Sequence, residues 1–269
     1  MEDLSALARL IQGIAPWRAH LVIVGGWAHR LYRLHPLASV PDYQPLVTRD
    51  TDLAFAADAP LVGDIRDSLR NQGFEEELTG DDQPPVTHYT LGDDDAGFYA
   101  EFLTPLMGSE TKNGKRDVTT VRAGITAQKL RFLEILLTDP WTVTLGAGRG
   151  VPIEKPVDIN IANPVSLIAQ KLLIHDRRKA TKRAQDVLYI HDTLQLFGGH
   201  LEELASLWNL SVKPSLAPRA ARNVIRLSTE MFADVTDTIR DAAQMPQDRK
   251  LNPDLLRRSC GAALNQILT

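Results

Sequence analysis

The residues with the clearest chemical potential are acidic and closely spaced. In Thr48-Arg49-Asp50-Thr51-Asp52, two carboxylates stand two positions apart. On an extended strand such side chains point the same way, so both acids converge on one point. Hard oxygen donors on a rigid element suit Mg2+ or Mn2+, a cation that keeps several waters and completes its shell with substrate phosphates. Glu101, in Tyr99-Ala100-Glu101-Phe102-Leu103, supplies a third carboxylate if its strand lies beside the first. Two ions about 4 Å apart would then orient an attacking hydroxyl and a leaving pyrophosphate. Gly25-Gly26 closes an apolar run and opens a helical one, which leaves backbone N–H groups free to meet phosphate oxygens. Each part has a plainer reading: a solvated strand edge for Asp-x-Asp and a tight turn for Gly-Gly. Their conjunction points to nucleoside triphosphate chemistry.

The elements that must position these groups can be read from periodicity. Leu21-Val22-Ile23-Val24 reads as a buried strand, Trp27 to Leu34 as a helix, and residues 35–46, with three prolines, as a loop. Thr48 to Phe55 alternates polar and apolar positions, with Thr51, Leu53 and Phe55 on the face opposite the acids and suited to burial. A helix is expected over 61–72, a strand over 99–103, strand-like pieces near Val121 and over 141–145, and a helix over 126–137. Asn163-Pro164 is a helix start, and the sequence beyond it is helical over 165–178, 183–197, 199–208, 217–243 and 252–267. The expected architecture is α+β, an α/β core with a mixed sheet over 1–162 followed by a helical bundle over 163–269.

In the first of these helices Lys171 lies three or four positions from Leu167, Ile168, Ile174 and His175, a cation beside an apolar stripe. Either it snorkels to a domain rim, or it faces the cleft and touches the triphosphate, with Asp186 positioning it or binding ribose or base.

Bulk properties exclude several classes. The 269 residues carry 30 Lys plus Arg against 34 Asp plus Glu, a net charge of −4, so no global field draws the chain to nucleic acid. Cys260 is the single cysteine, which fits a reducing, cytoplasmic location without internal disulfides. The N-terminal apolar residues Leu4, Leu7, Ala8 and Ile11 recur at helical spacing, as in a domain helix rather than a signal peptide, and the longest apolar run, 21–28, is too short to cross a bilayer.

Val22-Ile23-Val24-Gly25-Gly26-Trp27-Ala28 followed by Thr48-Arg49-Asp50-Thr51-Asp52-Leu53 resembles the nucleotidyltransferase fold of the polymerase beta type. More narrowly, the chain is similar to the AbiEii-like toxins of type IV toxin–antitoxin systems, over roughly residues 20–197. The resemblance implies that the glycine pair and two acids form a first signature and that a later strand carries the third carboxylate. It also implies a helical lysine followed by an aspartate, matched by Lys171 in Ala169-Gln170-Lys171-Leu172 and by Asp186 in Lys182-Arg183-Ala184-Gln185-Asp186-Val187. Two positions depart from the pattern. Leu46 stands where the family often has a triphosphate-binding arginine, for which Arg49 is the nearby candidate, and Tyr189 stands where a second acid follows Asp186.

Other signals rank lower. Gly146-Ala147-Gly148-Arg149-Gly150 lacks the Gly-Lys-Ser/Thr ending of a phosphate loop and reads as a hairpin turn. His175-Asp176 and His191-Asp192 read as helix-surface pairs, and Arg177-Arg178-Lys179 with Lys182-Arg183 as a solvated helix end or a grip on a phosphate backbone. No Gly-x-Ser-x-Gly elbow is present. The expected function is metal-dependent transfer of a nucleoside monophosphate from an NTP to a hydroxyl of a tRNA, a protein or a small molecule. Asp50, Asp52 and Glu101 would hold metal, Gly25, Gly26 and Arg49 the phosphates, and Lys171 the developing charge. The resemblance implies a toxin with a cognate antitoxin as partner. The competing class is a non-catalytic module that keeps the fold to bind a nucleotide or partner.

Overall fold

A computed structural model describes residues 2–46, 48–92, 97–112 and 114–269, apart from the side chains of residues 2, 112 and 115. Its first compact unit comprises residues 1–28 with 47–162. The apolar run after Leu21 forms β1 (Val22–Val24), buried at every position, and the two glycines open helix α2 (Gly25–Leu31) directly after it. The Asp-x-Asp segment forms β2 (Asp50–Ala54), in which Thr51 and Leu53 are fully buried while Asp50 and Asp52 remain partly accessible on the other face. This is the alternation expected of a strand packed on one side. α1 (Glu2–Gly13) buries Leu7, Leu10 and Ile11 and packs on α3 (Ile65–Asn71), whose N-terminus is capped by Asp64 accepting from the Asp67 amide at 2.9 Å.

The remaining strands are β3 (Glu75–Thr79), β4 (Val86–Leu91), β5 (Phe98–Pro105), β6 (Thr111–Lys112), β7 (Lys115–Arg116), β8 (Thr119–Arg122), β9 (Ile125–Leu130), β10 (Trp141–Leu145) and β11 (Val157–Ile161). Among the described residues, nine strands join one mixed sheet in the order β10-β11-β1-β2-β5-β4-β3, with β9 pairing to both β5 and β8, while β6 and β7 form a separate ribbon. β2 lies antiparallel to β1 and parallel to β5, so the acids sit at the centre of the sheet between the glycine-bearing strand end and the Glu101 strand. The mixed sheet agrees with the α+β expectation.

One expected helix is a strand. Residues 126–137 form β9 and a 3-10 turn at Glu134–Leu137. Ala123 and Gly124 have φ of +44° and +78° and join Arg122 to Ile125 as a two-residue hairpin turn, the connection whose twist suits antiparallel strands. β9 then adds parallel pairing to β5 at Leu103, Thr104 and Pro105. Pairing on two sides outweighs the helix-like apolar spacing. The Gly146–Gly150 segment is a short 3-10 turn between the antiparallel strands β10 and β11, in keeping with a hairpin connection.

The second unit comprises residues 29–46 with 163–269. Asn163 caps α4 (Pro164–Ile174) by accepting from the Ser166 amide at 2.8 Å, as Asn-Pro predicts. α5 (Ala180–Leu196), α6 (Leu201–Leu207), α7 (Lys213–Ser215), α8 (Pro218–Met231), α9 (Asp237–Gln244) and α10 (Pro253–Leu268) follow. The single helical pattern expected over 217–243 is broken, because the segment after Phe232 turns and Thr236 caps a new helix. Residues 35–46 form the expected irregular segment, and it is well anchored. The Ser39 amide donates to the Leu196 carbonyl at 2.8 Å, and the Tyr43 ring lies 3.6 Å from the Arg249 guanidinium. No helix among the described residues is long and apolar enough to cross a membrane.

His29 is fully buried in this unit, its ring edge-on to Tyr32 and Tyr189, with no hydrogen-bond partner on either nitrogen among the described residues. Burial lowers its pKa to about 3; the Asp192 carboxylate opposes that shift, and Arg33, Lys171 and Arg249 reinforce it. The folded imidazole therefore stays neutral while the unfolded one gains a proton near pH 6.5. Its contribution to stability is complete above pH 6.5 and declines as pH falls from there toward 3, by about 2 kcal/mol at pH 5. Urea unfolding at pH 7.5 and pH 5 should show this loss in the wild type and a clearly smaller one in His29→Phe, which keeps the ring contacts. An unchanged pH dependence in the variant would remove His29 as its source.

Candidate active site

The register of β2 against β5 sets Asp50 beside Tyr99 and Asp52 beside Glu101. β4 completes the row, with His88 paired to Glu101 in the antiparallel direction. Three side chains expected from sequence to act together are thus carried by adjacent strands of one sheet. Asp52 and Glu101 are close enough to share a hydrogen bond, and the His88 Nε2 stands 3.3 Å from the other side of the pair, at Glu101 Oε2. Burial alone would raise the Glu101 pKa. Hydrogen bonds from His88 and Asp52, with the His88 charge, outweigh that effect and hold it below the ordinary glutamate value. Two carboxyl groups this close, joined by a hydrogen bond, offer oxygen donors that a hard cation can also engage.

Asp50 is turned differently. Its Oδ1 accepts a short hydrogen bond from the Thr48 hydroxyl, two residues earlier on the same chain. Among the described residues no three His, Cys, Asp or Glu side chains converge as a ready-made metal cage. The donor set that does exist, hard oxygens on rigid strands, matches a cation that relies on water and ligand phosphates for most of its shell.

Gly25 explains why the first signature begins with glycine. Its φ is +64°, and a Cβ there would lie 2.3 Å from Asp52 Oδ2. The Asp52 carboxylate therefore lies against bare backbone at the start of α2, a space that no side chain can share. Gly26 follows within the same helix, and Arg49, the candidate triphosphate contact, is exposed beside Asp50.

Lys171 and Asp186, the second expected signature, meet in the helical unit. The Lys171 Nζ donates to Asp186 Oδ1 at 2.6 Å and lies 4.5 Å from the centre of the Tyr189 ring, with the lysine 5% exposed and the aspartate fully buried. Asp186 Oδ2 accepts from Arg178 Nε at 3.1 Å. Asp186 thus positions two cations at once. Tyr189, at the position where the resembled family carries an acid, supports the ammonium with its ring face instead.

Sequence reasoning missed His88, Thr48, Tyr99 and Arg178. His88 enters only through the β4–β5 register, for which the sequence holds no local sign. Tyr99 was visible as the strand neighbour of Glu101. It stacks on His88 at 4.9 Å, and its hydroxyl pKa is raised by burial first and then by the charges of Asp50, Glu101 and Asp52. Thr48 was adjacent to the quoted motif, and Arg178 stood in a basic run read as a solvated helix end. The His191-Asp192 pair, read as a helix-surface pair, is instead buried, with Asp192 fully enclosed and bound by Arg249 at 2.6 and 2.8 Å. Its position on the inner face of α5 places it there.

Comparison with known families gives a match to the family model described as Nucleotidyltransferase, over residues 2–212. That span is most of the chain, and the chain belongs to this family. No curated protein matches the sequence at a significant level.

Gly25→Ala should disable the site more than its backbone strain alone explains. Gly150 offers a control, because its φ is +79° and a Cβ there would meet nothing within 4 Å. Both substitutions should cost about 1–2 kcal/mol for left-handed backbone. Only Gly25→Ala should also displace Asp52 and lower nucleotidyl transfer by at least about tenfold. Equal activity in the two variants, measured beside their melting temperatures, would show that the Gly25–Asp52 contact does not matter to the reaction.

Proposed function

We propose that this nucleotidyltransferase uses a nucleoside triphosphate as donor and a hydroxyl as acceptor, with a divalent metal, Mg2+ or Mn2+, held by Asp50, Asp52 and Glu101. The observation that carries the reading is the register of β2 and β5, which sets Asp52 beside Glu101 with Gly25 backbone packed against the Asp52 carboxylate. The acceptor oxygen bonds to the α-phosphorus, the bond from that phosphorus to the bridging oxygen of the β-phosphate breaks, and pyrophosphate leaves. The bound metal would supply charge neutralisation for the phosphates and a lowered barrier to ionising the acceptor hydroxyl. Glu101 orients that hydroxyl and takes its proton, with His88 Nε2 steadying the Oε2 side of the carboxyl. Gly25 and Gly26 offer backbone N–H groups to phosphate oxygens, and Arg49 offers a guanidinium.

Lys171 is assigned the charge that develops on the phosphates, and its amine is preorganised for that role by Asp186 and Tyr189. Asp186, with both oxygens engaged, acts as the positioning residue. Similarity to AbiEii-type toxins supports a macromolecular acceptor, tRNA or protein, and an antitoxin as physiological partner.

The test is turnover with labelled NTPs and cell-extract acceptors. Asp50→Asn and Asp52→Asn should each lower transfer at least about tenfold, ~1.4 kcal/mol in barrier, while circular dichroism stays native. Lys171→Met leaves buried Asp186 with Arg178 alone, so a stability loss of up to about 3 kcal/mol should accompany its loss of transfer. Adding Asp186→Leu should restore much of the stability and none of the transfer. Transfer that survives in the Asp variants would overturn the metal assignment, and transfer that returns with stability in the double variant would reduce Lys171 to a structural role.

A further inference from the structure

A groove of about 580 Å³ lies within the helical unit, between the C-terminal half of α5 and the start of α10. It is in the size range of small-molecule sites, and all of its lining residues belong to residues 163–269. Its apolar wall is Leu251, Leu255 and Leu256, of which Leu255 is 58% exposed and so open to a ligand. Among the described residues two cations line it, Lys250 and Arg258, and no acidic side chain does. In a chain with more acids than bases, a groove lined only by cations and neutral groups has a definite electrostatic preference.

The polar floor is held from behind. Asp192 fixes His191 by accepting from Nδ1 at 2.9 Å, and Asp192 is itself held by both contacts of Arg249 Nη2. With Nδ1 engaged, the nitrogen that His191 offers to a ligand is Nε2. Arg249 and Lys250 divide their roles, the former bound to Asp192 and the latter lining the groove. Asn252 uses its oxygen to cap α10, accepting from the amides of Asp254 and Leu255 at 3.0 and 3.1 Å, so its amide N–H pair is the part left to a ligand. Gln195, one turn from His191 on α5, adds a second amide. Arg258 also meets Asp254 at 2.9 Å, an exposed pair whose strength is small beside a phosphate contact.

We infer that this groove is a second ligand site, for a nucleoside monophosphate. A phosphomonoester carries close to two negative charges at neutral pH, which two cations match better than they match a single carboxylate. The guanidinium fork of Arg258 suits phosphate oxygens in particular. The leucine wall covers one face of a base, and His191 Nε2 with the two amides meets its edge heteroatoms. This site stands apart from the transfer reading and does not depend on it.

Titration calorimetry in metal-free buffer tests the inference, with AMP, adenosine and inorganic phosphate as probes. AMP should bind at least tenfold more tightly than adenosine or phosphate. Lys250→Glu/Arg258→Glu, both at exposed positions, should weaken AMP at least tenfold with the melting temperature unchanged, and the uncharged Leu255→Ser should weaken AMP while leaving phosphate alone. Asp52→Asn should bind AMP as the wild type does. AMP no tighter than adenosine, AMP binding that survives the double charge reversal, or phosphate binding as well as AMP with no effect of Leu255→Ser would each overturn the proposal. So would loss of AMP binding in Asp52→Asn, which would place the nucleotide at the carboxylates instead.

Discussion

The β2–β5 register sets Asp52 beside Glu101 on neighbouring parallel strands, and that proximity gathers the acidic oxygens of the site at one point of the sheet. Much of the first unit serves it. β1 delivers Gly25 at a positive φ, so that the Asp52 carboxylate lies against backbone rather than a side chain. β4 delivers His88 to the other side of Glu101. Thr51, Leu53 and Phe55 bury the opposite face of the strand, which keeps both acids pointing one way. Hydrogen bonds from His88 and Asp52 hold Glu101 below the ordinary glutamate value, and a divalent ion bound there would add a stronger partner.

The helical unit solves a related problem with the opposite sign. Lys171 is buried, and a buried ammonium is costly unless paired. Asp186 and the Tyr189 ring pair it, and Arg178 balances the remaining oxygen of Asp186. A second enclosed carboxylate, Asp192, binds Arg249 and His191 and lies near the neutral, buried His29. Such networks lock side chains into single geometries because breaking any member leaves a charge without compensation. They also anchor residues 29–46, whose Tyr43 stacks on the same Arg249 and donates to Asp192 at 3.3 Å.

The acids, the glycines and the lysine were legible because each depends on short-range rules: period-two alternation, a glycine where backbone must be bare, a cation beside an apolar stripe. Helix starts such as Asn163-Pro164 were legible for the same reason. What the sequence withheld was pairing. β9 looked helical because its apolar spacing fits both periods, and only contact with β5 and β8 decides it. His88 is invisible as a site neighbour until the β4–β5 register is known. Asp192 resembled a surface acid because Arg249, its partner, lies 57 positions away in the chain.

The central claim is that the Asp52–Glu101 pair, with Asp50, is a divalent-cation site. Mn2+ binding, followed as protein-dependent loss of the free-ion electron paramagnetic resonance signal beyond that caused by a non-hydrolysable NTP analogue alone, tests it most directly. The account predicts saturable binding to the wild type and its loss in Asp52→Asn and in Glu101→Gln, both natively folded by circular dichroism. Unchanged Mn2+ binding in those two variants would contradict it.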